Sequence, residues 1–187
     1  MVYWGLTDSG EYFETVPLDA SNPANRGVEN PHERFALNPN AEGFVIRPGH
    51  DVTRPERLTT AATVKALPAL YCERYVSGTT LSGNHLQADV DQRCKGAFVN
   101  HWIDHQLQHD SWIDWRDYTT LATSSSTSSY RYVWRYAAQC GFGGDPHGWY
   151  NYRMNTRGWA RHVDENIVGG NWVHGGTGRF ACGTGVS

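Results

Sequence analysis

Alternation of aromatic and polar positions is clearest from Tyr130 to Cys140, YRYVWRYAAQC. The even positions are aromatic or small: Tyr130, Tyr132, Trp134, Tyr136, Ala138 and Cys140. The odd positions carry Arg131, Arg135 and Gln139. A period of two over so long a run marks a half-buried β-strand, because successive side chains leave a pleated strand on opposite faces. A helix would scatter the same rings around its circumference.

The same logic predicts strands over 70–76, 85–94, 97–109, 112–122, 149–163 and 179–182. Within 149–163, Tyr150, Tyr152 and Met154 share one face, and the apolar parity shifts at Gly158 to Trp159, Arg161 and Val163. A glycine at a phase shift predicts a β-bulge there. The run Ser124–Ser129 is too polar for a core and reads as a loop.

Residues 1–69 read differently. A short hairpin is predicted around Asp8-Ser9-Gly10, and Gly43–Arg47 forms a short apolar strand candidate. Asn22-Pro23, Asn30-Pro31 and Asn38-Pro39 recur every eight residues. Proline drives its predecessor out of the helical region, so the series suggests a kinked, extended arm. Thr53-Arg54-Pro55-Glu56 has the form of a capping box with proline in the first turn, and Leu58, Ala61, Ala62 and Leu67 follow. This predicts one helix over about 55–67, ended by Pro68. The expected fold is therefore all-β: an antiparallel β-sandwich over 70–187, preceded by an N-terminal extended arm, 1–69, with one short helix.

Composition agrees. Aromatic residues make up 13% of the 187 residues, with eight Trp and ten Tyr, against an apolar fraction of only 39%. Such side chains suit sheet faces and binding surfaces alike. The formal net charge is −3, so no overall footprint for nucleic acid exists. No apolar run is long enough to span a membrane. The first residues lack a basic and an apolar region of the secretory kind, so export would involve a mature form or another route.

The four cysteines are Cys72, Cys94, Cys140 and Cys182, none in a CxxC pair. Each lies on the apolar parity of its predicted strand, which suits two disulfides rather than a zinc ribbon. Three pairings are possible. Cys72–Cys94 and Cys140–Cys182 are preferred, because consecutive strands are usually neighbours. Disulfides imply an oxidising location, extracellular, periplasmic or on a virion surface.

The run Val90-Asp91-Gln92-Arg93-Cys94-Lys95-Gly96, then Leu107-Gln108 and Trp112, then Arg179-Phe180-Ala181-Cys182, resembles small exported two-disulfide β-sandwich proteins of actinobacteria. The likeness covers about residues 70–187. It implies export, two disulfides and a sandwich, and it carries no catalytic residues.

Three sets of residues are candidates for chemistry. His101, His105 and His109 are spaced four apart. A helix would bring such ligands within about 6 Å of each other. A strand, the preferred reading, separates them by about 13 Å, too far for one zinc or copper ion. On a strand the three histidines share one face. Second, Trp112, Asp114, Trp115 and Arg116 form a dense aromatic and charged stretch that suits a sugar platform. His147, Trp149 and Trp172 add exposed ring systems from two further segments, so a ligand patch could be built from loops. Third, no G-x-S-x-G elbow occurs, and His162 beside Arg161 and His32 beside Glu33 and Arg34 are the only local hints of a hydrolase or toxin.

The expectation is a non-enzymatic, exported or virion-surface module for binding or assembly, without a cofactor. Its partner would be another protein chain or a second copy, with the arm contacting it. A carbohydrate-binding module is the first alternative, and a small secreted hydrolase or toxin the second.

Overall fold

The computed structural model describes residues 1–17, 35–59, 69–110, 113–141 and 148–182. The N-terminal region supplies β1 (Val2–Leu6), β2 (Tyr12–Pro17), β3 (Phe35–Leu37), β4 (Glu42–Ile46) and β5 (Glu56–Thr59). Next come β6 (Leu70–Val76), β7 (Thr80–Ser82), β8 (His85–Gly96), β9 (Phe98–Asp110), β10 (Trp115–Asp117) and β11 (Ala122–Thr123). The last are β12 (Arg131–Gln139), β13 (Gly148–His162), β14 (Ile167–Gly169), β15 (Val173–His174) and β16 (Gly178–Cys182). No helix is present among the described residues, so none there is long and apolar enough to cross a membrane.

The strands form two antiparallel sheets in a sandwich-like arrangement. The first has the order β12-β8-β6-β1-β2-β3, with β7 also on β8. The second has the order β10-β9-β13-β14-β4-β5, with β11 on β9 and with β15 and β16 on β13. β8 and β9 follow each other directly but belong to different sheets. The chain turns the corner at Gly96, whose φ of 85° favours glycine.

Parity works as the sequence suggests in β8, where Leu86, Ala88, Val90, Gln92 and Cys94 are buried and the residues between them are less so. In β12 it holds for Trp134 and Ala138, which are buried while Arg131, Arg135 and Gln139 are exposed. It does not hold for Tyr132, or for Tyr130 just before the strand, which are exposed although they share the parity of Trp134. Outside the sheet, Arg135 forms a double hydrogen bond with Asp89, directly opposite it, and Arg131 does the same with Asp91.

Two expectations for the N-terminal region are corrected. β1 lies inside the first sheet between β6 and β2, and β4 and β5 extend the second sheet, so these residues are part of the sandwich and not an arm. Trp4 is fully buried in one core cluster with Leu70, Cys72, Ala160 and Val168. The predicted helix over 55–67 also fails where it can be seen. Glu56–Thr59 pairs with Glu42–Val45 as a strand, and Arg57 reaches Glu42 at 2.7 Å. Pairing to β4 overrides the local helix signal. Asp51, not Thr53, organises the turn before it, accepting from both N and Oγ1 of Thr53. Residues 60–68 lie outside the described residues, as do Asn22-Pro23 and Asn30-Pro31. Asn38-Pro39 sits at a turn closed by N of Ala41 donating to the carbonyl of Asn38.

Two disulfides are present, Cys72–Cys94 and Cys140–Cys182. The first joins directly opposed residues of β6 and β8 within one sheet. The second ties the end of β12 to the end of β16 and so staples one sheet to the other. Two such bonds place the protein in an oxidising environment.

Candidate functional site

The interior is not uniformly apolar. One cluster contains Leu86, Val90, Ile103, Leu107, Tyr152 and Met154, and the other contains Trp4, Leu70, Cys72 and Val168. Between them runs a polar layer. Arg74 and Gln92 lie directly opposite each other on β6 and β8, and both are buried. His101 adds to it from β9: its Nδ1 accepts from Nε2 of Gln92 at 3.2 Å, and its Nε2 donates to the carbonyl of Ser129 at 2.8 Å.

The three histidines of β9 do share a face, and that face points inward. His101 packs edge-on against Trp134, His105 against Tyr136, and His109 against Tyr118 and Tyr150. β9 is a strand, so the helical condition for a common metal ion is not met. No group of three or more His, Cys, Asp or Glu side chains able to hold a metal occurs among the described residues. Burial holds the imidazoles of His101 and His105 below their usual range; the Ser129 carbonyl opposes this at His101, and Asp104 at His105.

The face with more binding chemistry is the outer side of the second sheet. In β13 the odd positions are Trp149, Asn151, Arg153, Asn155, Arg157 and Trp159. Their partners on β9 are Gln108 for Arg153, Gln106 for Asn155, Asp104 for Arg157 and Trp102 for Trp159. Asn151 donates to Asp110 from both its backbone N and its side chain. The strip thus runs from a Trp–Trp row through Arg–Asp, Asn–Gln, Arg–Gln and Asn–Asp rows to the exposed Trp149. The ten residue steps from Trp149 to Trp159 give it a length of about 34 Å.

Two guanidiniums anchor it. Arg157 lies over the rings of Trp159 at 4.5 Å, Trp172 at 5.0 Å and Phe44 at 5.1 Å. Its Nη2 donates to Asp104 at 3.3 Å, and Asp104 also accepts from Thr123 Oγ1 and Trp159 Nε1. Arg153 lies over Trp115 at 4.1 Å and donates to Gln108, whose amide donates to Asp117. Gly169 makes room for this packing, since a Cβ there would lie 2.5 Å from the Trp159 ring.

The interior layer holds the segment that carries Trp172. Nη2 of Arg74 donates to the carbonyl of Asn171 at 2.8 Å, and N of Asn171 donates to Glu14 at 3.3 Å. Glu14 also accepts from the Tyr12 hydroxyl. Gly170 lies against Trp4. Burial lowers the Arg74 guanidinium to about 10, with Glu14 and Tyr12 acting in the opposite direction. A charged group at the core thus fixes an aromatic ring on the surface.

Several residues singled out from the sequence meet on this strip. Trp115 and Trp172 sit on the two guanidiniums, and Trp149, 66% exposed, ends the strip. Asp114 accepts from the backbone N of Trp115, and Arg116 is exposed beside it. Trp112 and His147 lie outside the described residues. Phe44, Trp102, Asp104, Asn155, Arg157 and Trp159 were not singled out. The signal for most of them lies in the polar parity of the two longest strands, β9 and β13.

Gly158 does not mark a bulge. It pairs in register with Ile103, and the irregularity falls between Arg161 and His162. The glycine is needed instead for close approach: a Cβ there would lie 2.2 Å from Gln92 Oε1 and 2.4 Å from Arg74 Nη1. His162, the one hydrolase hint within the described residues, bonds Asp164 at 2.7 Å and lines a separate crevice of about 450 Å³ over Leu6, Val45 and Leu58. Comparison with protein families and with curated proteins finds no match.

Proposed function

We propose that the protein is an exported, non-enzymatic binding module that takes an uncharged glycan chain on the outer face of its second sheet. The observation that carries this reading is the ordered strip of indoles, guanidiniums and amides along β9 and β13. Sugar rings offer apolar faces that stack on indoles and hydroxyls that pair with amides and charged planar groups. The strip's length suits an extended ligand over a single small molecule. Its arginines Arg116, Arg153 and Arg157 are matched by Asp104, Asp110, Asp114 and Asp117, so it selects neither a polyanion nor a polycation. Its carboxylates are already bonded to neighbours, which favours holding a ligand over acid–base chemistry. The two disulfides support export.

A titration of Trp fluorescence against a panel of neutral and acidic oligosaccharides tests the reading. Saturable quenching or blue shift with a neutral glycan, lost in Trp115→Ala and Trp172→Ala, is expected. An unchanged spectrum across the neutral panel overturns it.

A further inference from the structure

β12 is the edge strand of the first sheet, bonded among the described strands to β8 alone. Its hydrogen-bonding phase follows from its two ends. N of Cys140 donates to the carbonyl of Asn84, and N of Cys94 donates to the carbonyl of Tyr130. Even-numbered residues therefore exchange bonds with β8, because bonded and non-bonded pairs alternate along an antiparallel ladder. The odd-numbered residues Arg131, Val133, Arg135, Ala137 and Gln139 turn their N–H and C=O groups to the open edge. The carbonyl of Gln139 is taken by the Tyr118 hydroxyl. The groups of Arg131, Val133, Arg135 and Ala137 have no partner among the described residues.

An edge of this length invites another strand unless a charged side chain, proline or bulge blunts it. β12 has no proline or bulge, and its two charged side chains, Arg131 and Arg135, are each neutralised by an aspartate of β8. The four open residues are also symmetric about Trp134. We propose that β12 pairs antiparallel with β12 of a second copy of this chain, on a two-fold axis at Trp134. Arg131 then exchanges bonds with Ala137 of the other copy, and Val133 with Arg135, so all four open residues are used on each side. Charge selects this register. A two-fold at Val133 would set Arg131 against Arg135, and one at Arg135 would set that arginine against itself. At Trp134 each arginine faces an uncharged residue across the seam while keeping its own aspartate. Tyr132, 44% exposed, meets Tyr136 of the other copy on the inner side. The pairing joins the two first sheets into one and leaves the outer face of each second sheet open.

Sedimentation equilibrium of the full, oxidised chain over a range of concentrations tests the proposal. A monomer–dimer equilibrium is expected, and Val133→Lys, which sets a lysine across from Arg135 of the other copy, raises its dissociation constant at least tenfold. Ala137→Pro removes an open N–H without breaking a bond within the chain and has the same effect. A wild-type chain that stays monomeric to its solubility limit overturns the proposal, as does a dimer that both variants leave unchanged. Glycan binding by monomeric Val133→Lys is expected to persist, so the two readings fail separately.

Discussion

Nε1 of Trp159 donates to Oδ2 of Asp104 at 2.6 Å on the outer face of the second sheet, and only 4% of Trp159 and 7% of Asp104 are exposed. The same carboxylate serves Arg157 and Thr123, so three side chains from two other strands share one anchor. Asp104→Ala leaves a guanidinium and an indole N–H short of a partner in a site largely closed to water. A loss of about 3 kcal/mol is expected, read from urea unfolding, because removing one member of a buried ion pair leaves the other uncompensated. Asp104→Asn, which keeps an acceptor, is expected to cost less.

Gly158→Ala places a methyl group against Gln92 Oε1 and Arg74 Nη1, with Trp4 at 3.0 Å. The neighbours are buried and cannot swing into solvent. A destabilisation of about 2 kcal/mol is expected from overpacking. Thermal unfolding of the variant beside the wild type measures it.

The inward histidines make stability depend on pH. His101 and His105 have pKa values below that of the unfolded chain, about 6.5. The unfolded state therefore binds more protons as pH falls. Stability from the neutral rings is complete above about pH 6.5 and is lost as pH drops through and below that value. The melting temperature is expected to fall from about pH 7 to about pH 5, with a shallower slope in His101→Gln and His105→Gln.

The disulfides close loops with sequence separations of 22 and 42 residues. Loop-closure entropy alone assigns about 3 kcal/mol to Cys72–Cys94 and about 4 kcal/mol to Cys140–Cys182. Cys140→Ser/Cys182→Ser is expected to be the more damaging pair of substitutions, since it also releases one sheet from the other. Denaturant midpoints of the two double variants give the order.

Arg74 links the core to the surface through the carbonyl of Asn171. Arg74→Met keeps the length of the side chain and removes that bond. Trp172 is then held less firmly over Arg157, and weaker glycan binding is expected together with a loss of stability, since buried Glu14 is left without the cation that faces it. Circular dichroism with a binding titration separates the two effects.

What the sequence revealed depended on how many faces of a strand were buried. β8 and β12 each bury one face, and their alternation is plain in Leu86-Ala88-Val90 and in Trp134-Tyr136-Ala138. The thiols followed the same parity and paired accordingly. β13 is harder to read, because Ala160 faces the core while Trp159 is buried on the outer side under Gly169. That two-sided burial produced the false phase shift at Gly158. The N-terminal strands are short, and their identity comes from partners far along the chain: β1 lies against β6, and β4 against β14. No local pattern carries that information. In the candidate site the tryptophans were legible as residues, but the Arg–Asp and Asn–Gln rows exist only through the register of β9 with β13.

Eight indole N–H groups allow the binding face to be mapped directly. In a 1H–15N spectrum titrated with a neutral oligosaccharide, the indole signals of Trp102, Trp115 and Trp172 are expected to shift together with one saturation curve. Those of Trp4 and Trp134, both buried in the interior, are expected to stay in place. Movement of the interior signals with the surface ones fixed, or no movement at any indole across the panel, would contradict a glycan-binding second sheet.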